Sequence, residues 1–470
     1  MSDDTKKSLT FGRRGLLKGL GASATALALP TLWLPRSAYA QTSGHNSVQH
    51  LIYIRLSGGF RFTTAFNGDV AEEFNPFGRS SQRAPGTEWG VGKLLERASW
   101  LEEEAGGKAR ADLGMERVSA FSNDICVLPC VDHEPFSARA DGNHGTGLER
   151  FLTGFVGGTT SFFTLINYGL RERVAEETAA GRTVLPAFSL GEAGMALGAG
   201  AYAGYRPPVL DGSGFERFSF DPDSGVPEWA RTLSGKMDNR MRDRLHLRLR
   251  NNVEVYQQTR EATRSYGKIF RDPLLRIGPY SQDAADGISN QELVTLLGDT
   301  PTGRQAALAL RLFHFGCPAV FLNQGFYDFH SDEEEGLSGE IDQANQLLSG
   351  LRAALKRMKD SSGQSYWDKT LVVVGSEFGR TTGGKKFNSA KGSDHNSDLA
   401  TRWMSMPMMG GVISSAGKGG KLLGSTRGSD LKADGKVYSY RSVMKTMLDL
   451  LGADHSGIFP ADNPIEDLFT

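Results

Sequence analysis

The stretch LVVVGSEFGRT, residues 371–381, begins as an unbroken apolar run and ends in a glutamate and an arginine. A strand that is apolar on both faces suits the middle of a parallel sheet covered by helices, not a half-exposed ribbon. Glu377 then stands where the strand TLVVVGSE (370–377) reaches its carboxyl end. In open α/β sheets that edge is where ligands bind.

Four more runs read as strands: HLIYIRL (50–56), DICVLPCV (124–131), PAFSLG (186–191) and PAVFLNQG (318–325). Between them lie VGKLLERASWLEEE (91–104), RQAALALRLFHFG (304–316) and IDQANQLLSGLRAALKRMKD (341–360), each with helical spacing. A last helix, YRSVMKTMLDLLG (440–452), follows. The alternation predicts a layered α/β domain over 45–470, with a mainly parallel sheet and helices on both faces. The rhythm breaks at about 205–300. That span is Pro/Gly-rich and then becomes a long charged helical pattern over 237–272, read here as a helical cap or insertion with a solvated face.

The chain has 470 residues with 53 basic and 54 acidic side chains. A net charge of −1 gives no general attraction to nucleic acid or membrane. Residues 1–40 read as a leader: Arg13-Arg14, a short apolar stretch, then Ala38-Tyr39-Ala40 before Gln41. The pattern is that of a twin-arginine signal peptide, which makes the export machinery the expected partner and the periplasm, or another exported location, the destination. The apolar stretch is too short and interrupted for a good membrane span, and none is expected after cleavage. Cys126 and Cys130 would lie about 13 Å apart along an extended strand, too far for a disulfide unless Pro129 bends the chain. Buried free thiols are expected.

The strand-end segments collect the chemistry. LSGGFRFTTAFN follows the first strand, CVDHEPF and GNHGTG the second, and FYDFHSDEEEG the run at 318–325. GSDHNSD comes after LVVVGSEFGRT. His133, His144, Asp328, His330, Glu377, Asp394 and His395 therefore share one predicted edge. Histidine with carboxylate suits a divalent metal such as zinc or manganese. Bland alternatives stand beside this: Asp394 in an Asx turn, Asp332 to Glu335 as a solvated charge run. His314, inside a helix, reads as packed. There is no Gly-x-Ser-x-Gly elbow, P-loop or dinucleotide fingerprint. Gly58-Gly59 reads as a tight turn that lets the next loop reach the sheet edge.

Gly58-Gly59, Asn143-His144, Asp328-Phe-His330, Ser376-Glu-Phe-Gly-Arg-Thr381 and Asp394-His395, together with the leader, resemble the exported "domain of unknown function 1501" family, in the alkaline phosphatase and sulfatase clan. The resemblance spans most of 48–455. It implies an alkaline-phosphatase-like fold, a divalent metal (zinc, manganese or calcium) and hydrolysis of phosphate or sulfate esters. It makes Asp328, His330 and His395 metal ligands and gives Glu377 the place of an aspartate at the end of a central strand; Glu377 and Asp394 are included in the metal set. Many members carry acids just after the first Gly-Gly. Here the run is Thr64-Ala65-Phe66-Asn67, and Arg61 stands at the other common acid position. Asp69 could substitute. Thr63 or Thr64 is a candidate nucleophile hydroxyl, with Thr64 and Arg380 carried as the catalytic pair. Arg61, His133 and His144 are carried as binding residues for a small anionic ester. Two functions follow: a metal-dependent ester hydrolase, or a non-catalytic binding or scaffolding protein with a degenerate metal site.

Overall fold

The computed structural model describes residues 48–105, 108–133, 141–180, 184–210, 227–245, 266–267, 269–380, 391–395 and 402–468. The leader read at 1–40 and Thr381 lie outside them, as does 246–265 of the charged helical pattern.

Eight strands form one sheet. In chain order they are β1 (His50–Leu56), β2 (Ile125–Asp132), β3 (Phe188–Leu190), β4 (Val209–Leu210), β5 (Ala319–Gln324), β6 (Thr370–Gly375), β7 (Trp403–Met409) and β8 (Tyr438–Ser439). Their spatial order is β8-β2-β7-β6-β1-β5-β3-β4. β1 sits between β6 and β5, parallel to both. Only β7 runs against its neighbours, β6 and β2. The parallel strands β1, β2, β5 and β6 thus end at one edge.

The helices are α1 (His144–Thr153), α2 (Phe162–Gly169), α3 (Arg171–Ala179), α4 (Glu228–Arg244), α5 (Asn290–Leu297), α6 (Pro301–His314), α7 (Glu333–Arg357), α8 (Gly411–Ser415) and α9 (Tyr440–Leu450). Every residue of β1, β2 and β6 is buried, so both faces of the sheet centre are covered. Alternation along β1 shows by what. Tyr53 stacks on Phe151 of α1 at 4.9 Å and meets Phe162 of α2 edge-on at 5.9 Å. Ile54 and Leu56 line the other face with Ile341, Leu347 and Leu348 of α7. Burying such side chains contributes about 1.5–3 kcal/mol each. The expected mixed α/β fold, mainly parallel with helices on both faces, is the one observed. Among the described residues no helix is long and apolar enough to cross a membrane.

Two elements depart from the sequence expectation. Residues 91–104 form two short 3-10 turns, Lys93–Glu96 and Ser99–Glu102, because Arg97 and Ala98 leave helical backbone between them. Strand β7, WMSMPMM, was not expected, since methionines with an interior serine and proline carry little β signal. Between 205 and 300 the described residues include β4, which joins the main sheet, then α4, a two-stranded hairpin at Ala284–Ser289, and α5. All three cysteines are buried free thiols. A register shift opposite Met404–Met406 falls at Pro129–Cys130, where a proline needs no ladder partner.

His50, at the start of β1, gives a pH prediction. It is buried, stacks on Phe313 at 4.4 Å and has its Nδ1 2.8 Å from the Cys317 carbonyl. Burial pushes its pKa down to about 3. The folded state therefore resists protonation that the unfolded chain accepts from about pH 6.5. Stability present above pH 6.5 is lost as pH falls toward 3, with a slope approaching about 1.4 kcal/mol per pH unit. Denaturant melts across that window should show this slope in the native chain and a flatter one in His50→Phe.

Candidate metal centre

The site is assembled from three segments that meet at the carboxyl edge of the sheet. β5 ends at Gln324, and the turn that follows brings in Asp328 and His330. Asn143 caps α1, accepting from the amides of Gly145 and Thr146, and so places His144 at the first helical position. Residues 391–395 supply Asp394 and His395.

The donors converge. Asp328 Oδ1 lies 3.1 Å from His330 Nε2 and 3.7 Å from His395 Nε2, and Asp328 Oδ2 lies 3.3 Å from His144 Nε2. His330 Nε2 and His395 Nε2 face each other at 3.2 Å. Two groups, His144–Asp328–His395 and His330–Asp394–His395, each hold their donor atoms within 4.8 Å. A tetrahedral zinc with bonds of about 2.05 Å has ligand–ligand edges of about 3.3 Å. The spacings among Asp328 Oδ1, His330 and His395 scatter around that edge, so these three donors fit one dication, and His144 stands against the other Asp328 oxygen.

The surrounding groups orient these donors. His395 Nδ1 bonds the Gly142 carbonyl. That carbonyl can only accept, so the Nδ1 proton is fixed and the Nε2 lone pair faces the cluster. Burial and the nearby Arg380 charge lower the His395 pKa, which also favours the neutral ligand form. Phe378 stacks on the His395 ring at 4.9 Å. Gly142 has no room for a side chain: an added Cβ would sit 1.3 Å from the His395 carbonyl oxygen. Gly142→Ala should therefore displace the 394–395 segment and lower metal affinity at least about tenfold, read by metal titration.

Glu377, expected among the metal ligands, is not one of the converging donors, because its carboxylate is taken up by Arg55 and the Gly58 amide. Its carboxylate accepts from Arg55 Nε at 3.1 Å, Arg55 Nη2 at 3.2 Å and the Gly58 amide at 2.7 Å. Burial alone would raise its pKa, but His144 and Arg55 outweigh that and hold it at about 2. Glu377 Oε1 lies 3.6 Å from His144 Nδ1, so this carboxylate backs the histidine whose other nitrogen faces Asp328. The turn that delivers the Gly58 amide needs glycine twice. Both φ values are positive, and a Cβ on Gly59 would meet the Phe378 ring at 2.1 Å.

Arg380 is buried and already committed. It donates to Asp328 Oδ1, the Gly58 carbonyl at 3.1 Å, and Ser393 through Nε and Nη2 at 3.0 Å each. It steadies Asp328 and presents no free fork to an ester. Arg61 is likewise buried, with Nη1 2.8 Å from Glu333 Oε2. Glu333 Oε1 takes the Ser393 hydroxyl at 2.7 Å. Burial raises the Glu333 pKa, and Arg61 opposes the shift. The expected solvated run at 332–335 is thus corrected at Glu333.

Four other sequence candidates are placed away from the cluster. The Thr64 hydroxyl is buried and donates to the Arg61 carbonyl at 2.7 Å. Thr63 bonds the Phe74 carbonyl. His133 is buried, its ring nitrogens 3.1 Å from the Arg402 carbonyl and 3.2 Å from that of Asp141. Asp69 pairs with Arg79 at the surface, 2.7 Å away. His144, expected to bind substrate, stands among the candidate metal donors. Asp394 Oδ1 accepts from the His395 amide at 2.7 Å, so it shapes the segment as well as standing near the donors. Arg55, Glu192, Glu333 and Ser393 were missed. Arg55 carried a signal, a charge inside the apolar run HLIYIRL; Nη1 pairs with Glu192 at 3.0 Å.

A family model described as "Protein of unknown function (DUF1501)" matches residues 49–464. The chain belongs to that family. No curated protein matches it by sequence. Among solved structures it is similar to the C-terminal periplasmic domain of EcEptC from Escherichia coli, at 10% identity and TM-score 0.32, covering 92% of this chain and 89% of that one. It is also similar to the lipoteichoic acid synthase LtaP from Listeria monocytogenes, at 11% identity and TM-score 0.33, covering 92% and 79%. A third is a protein in the alkaline phosphatase superfamily from Vibrio parahaemolyticus, at 11% identity and TM-score 0.29, covering 95% and 76%. These superpositions are loose.

Proposed function

We propose that this DUF1501 member is an exported, divalent-metal-dependent hydrolase of phosphate or sulfate esters, with His144, Asp328, His330 and His395 as the metal-holding residues. One observation carries the proposal: Asp328 Oδ1, His330 Nε2 and His395 Nε2 lie 3.1–3.7 Å from one another, with His144 Nε2 3.3 Å from the other Asp328 oxygen and the His395 tautomer set by the Gly142 carbonyl. When bound, the ion supplies a Lewis acid at the cluster. The protein's own part is placement. Gly142 and Phe378 hold His395, Glu377 backs His144, and Arg380 fixes the Asp328 carboxylate. Thr64 is committed to Arg61, and Ser393 to Glu333 and Arg380. Their commitment to protein partners favours water over either hydroxyl as the attacking group. With Asp328 as the one carboxylate among these four donors, a single dication per chain is expected.

A second function is favoured by a different observation. Arg55, Arg61 and Arg380 each face a carboxylate. None of the three is left to hold an ester's anionic group, which suits a metal-binding protein without ester turnover. Export through the twin-arginine route, cleavage near residue 40 and the cap at about 205–300 belong to the same proposal. The experiment is elemental mass spectrometry on protein recovered after export, followed by assay on aryl phosphates and aryl sulfates. One metal per chain with turnover of either ester supports the hydrolase. One metal without turnover leaves the binding protein. A metal-free chain that takes up none on addition removes both.

A further inference from the structure

Helix α4 carries its large apolar side chains outward. Its partly or fully buried side chains are small or polar: Ala230, Arg231, Ser234, Asp238 and Arg242. The large apolar ones face out. Trp229 is 69% exposed, Leu233 49%, Met237 61% and Met241 52%. They stand four apart, so each step drifts only about 40° around the helix and they form one stripe. Lys236, Arg240 and Arg244, all exposed, fall along the same side by the same geometry. Asp243, the acid at that edge, has Arg242 Nε 3.4 Å away. The helix runs 17 residues, about 25 Å.

We propose that this face of α4 docks, lying flat, on an anionic phospholipid bilayer surface. A stripe of Trp, Leu and Met interleaved with Lys and Arg is complementary to such a surface. The apolar side chains enter the headgroup boundary while the cations extend their stems to the lipid phosphates. A protein groove would suit the stripe less well, because it would have to supply a carboxylate for each buried cation or leave it unpaired. The site chemistry is separate from this surface, so the proposal stands or falls without the hydrolase.

The test is sedimentation of the protein recovered after export with vesicles of phosphatidylglycerol in phosphatidylcholine, and with phosphatidylcholine alone. The native chain should pellet with the anionic vesicles and lose binding as salt rises. K236E/R240E/R244E should weaken binding on the order of a hundredfold, and W229S/L233S/M237S at least about tenfold. An unchanged denaturant midpoint in both variants confirms the fold. The proposal is overturned by absence of pelleting, by equal pelleting with neutral vesicles, or by unchanged affinity in either variant. It is also overturned if the apolar face is covered in buffer. That would appear as a dimer lost in the serine variant, or as Trp229 already shielded from an aqueous quencher.

Discussion

Asp328→Ala should cost the protein both its metal and a large part of its stability. The carboxylate is the shared acceptor of the cluster: His330, His395 and His144 reach it at 3.1, 3.7 and 3.3 Å. Losing a residue that only orients a ligand typically weakens metal binding about 10–100-fold, and losing the single anionic donor should exceed that. Behind it, Arg380 has a fully buried side chain and would lose its carboxylate. Breaking a buried pair from one side costs about 3–5 kcal/mol. Asp328→Asn separates the two effects. The amide oxygen still accepts from Arg380, so most stability returns, while the anion needed by a dication does not. Metal content and denaturant unfolding on both variants check this. Equal metal content in Asp328→Asn and the native chain would remove Asp328 from the donor set.

Glu333→Ala is expected to be nearly as damaging, although Glu333 is not among the metal donors. It leaves Arg61 charged in a fully buried position, again at about 3–5 kcal/mol. It also removes the acceptor of the Ser393 hydroxyl, which joins Glu333 to Arg380 and precedes the Asp394-His395 segment. Metal affinity should therefore fall about tenfold or more. The double variant Arg61→Met/Glu333→Leu should recover stability to near the native value, because apolar replacement of a buried ion pair is often neutral or better. It should not recover metal affinity, since the Ser393 hydroxyl still lacks its carboxylate acceptor. Denaturant midpoints read the first expectation and metal titration the second. If the double variant is as unstable as the single one, the pair is not the source of the loss.

The sheet was legible because its central strands are buried on both faces and so read as plain apolar runs. LVVVG at 371–375 and HLIYI at 50–54 needed nothing else. β7 was not, because Met and Pro carry little strand preference and its place is set by pairing with β2 and β6. The apolar pattern at 91–104 looked helical, yet Leu94, Leu95 and Trp100 are buried from two short turns instead. At the site, residue types at strand ends marked Asp328, His330 and His395, which the structure brings together. Roles were harder. Glu377 and Arg380 were visible as functional-looking residues, but not that Arg55 and Asp328 would occupy them. Glu333 hid inside an acidic run, and its partner Arg61 lies 272 positions away. Pairings at that separation leave no trace in local pattern.

The cluster's donors come from three stretches, around 144, 328–330 and 394–395, and the Gly142–His395 contact alone spans 253 positions. An unfolded chain holds no such constellation. Any ion that binds here binds the native state selectively, adding stability that grows with the logarithm of its free concentration. A chelator would then act as a mild denaturant, and the melting temperature of the protein would serve as a gauge of metal supply.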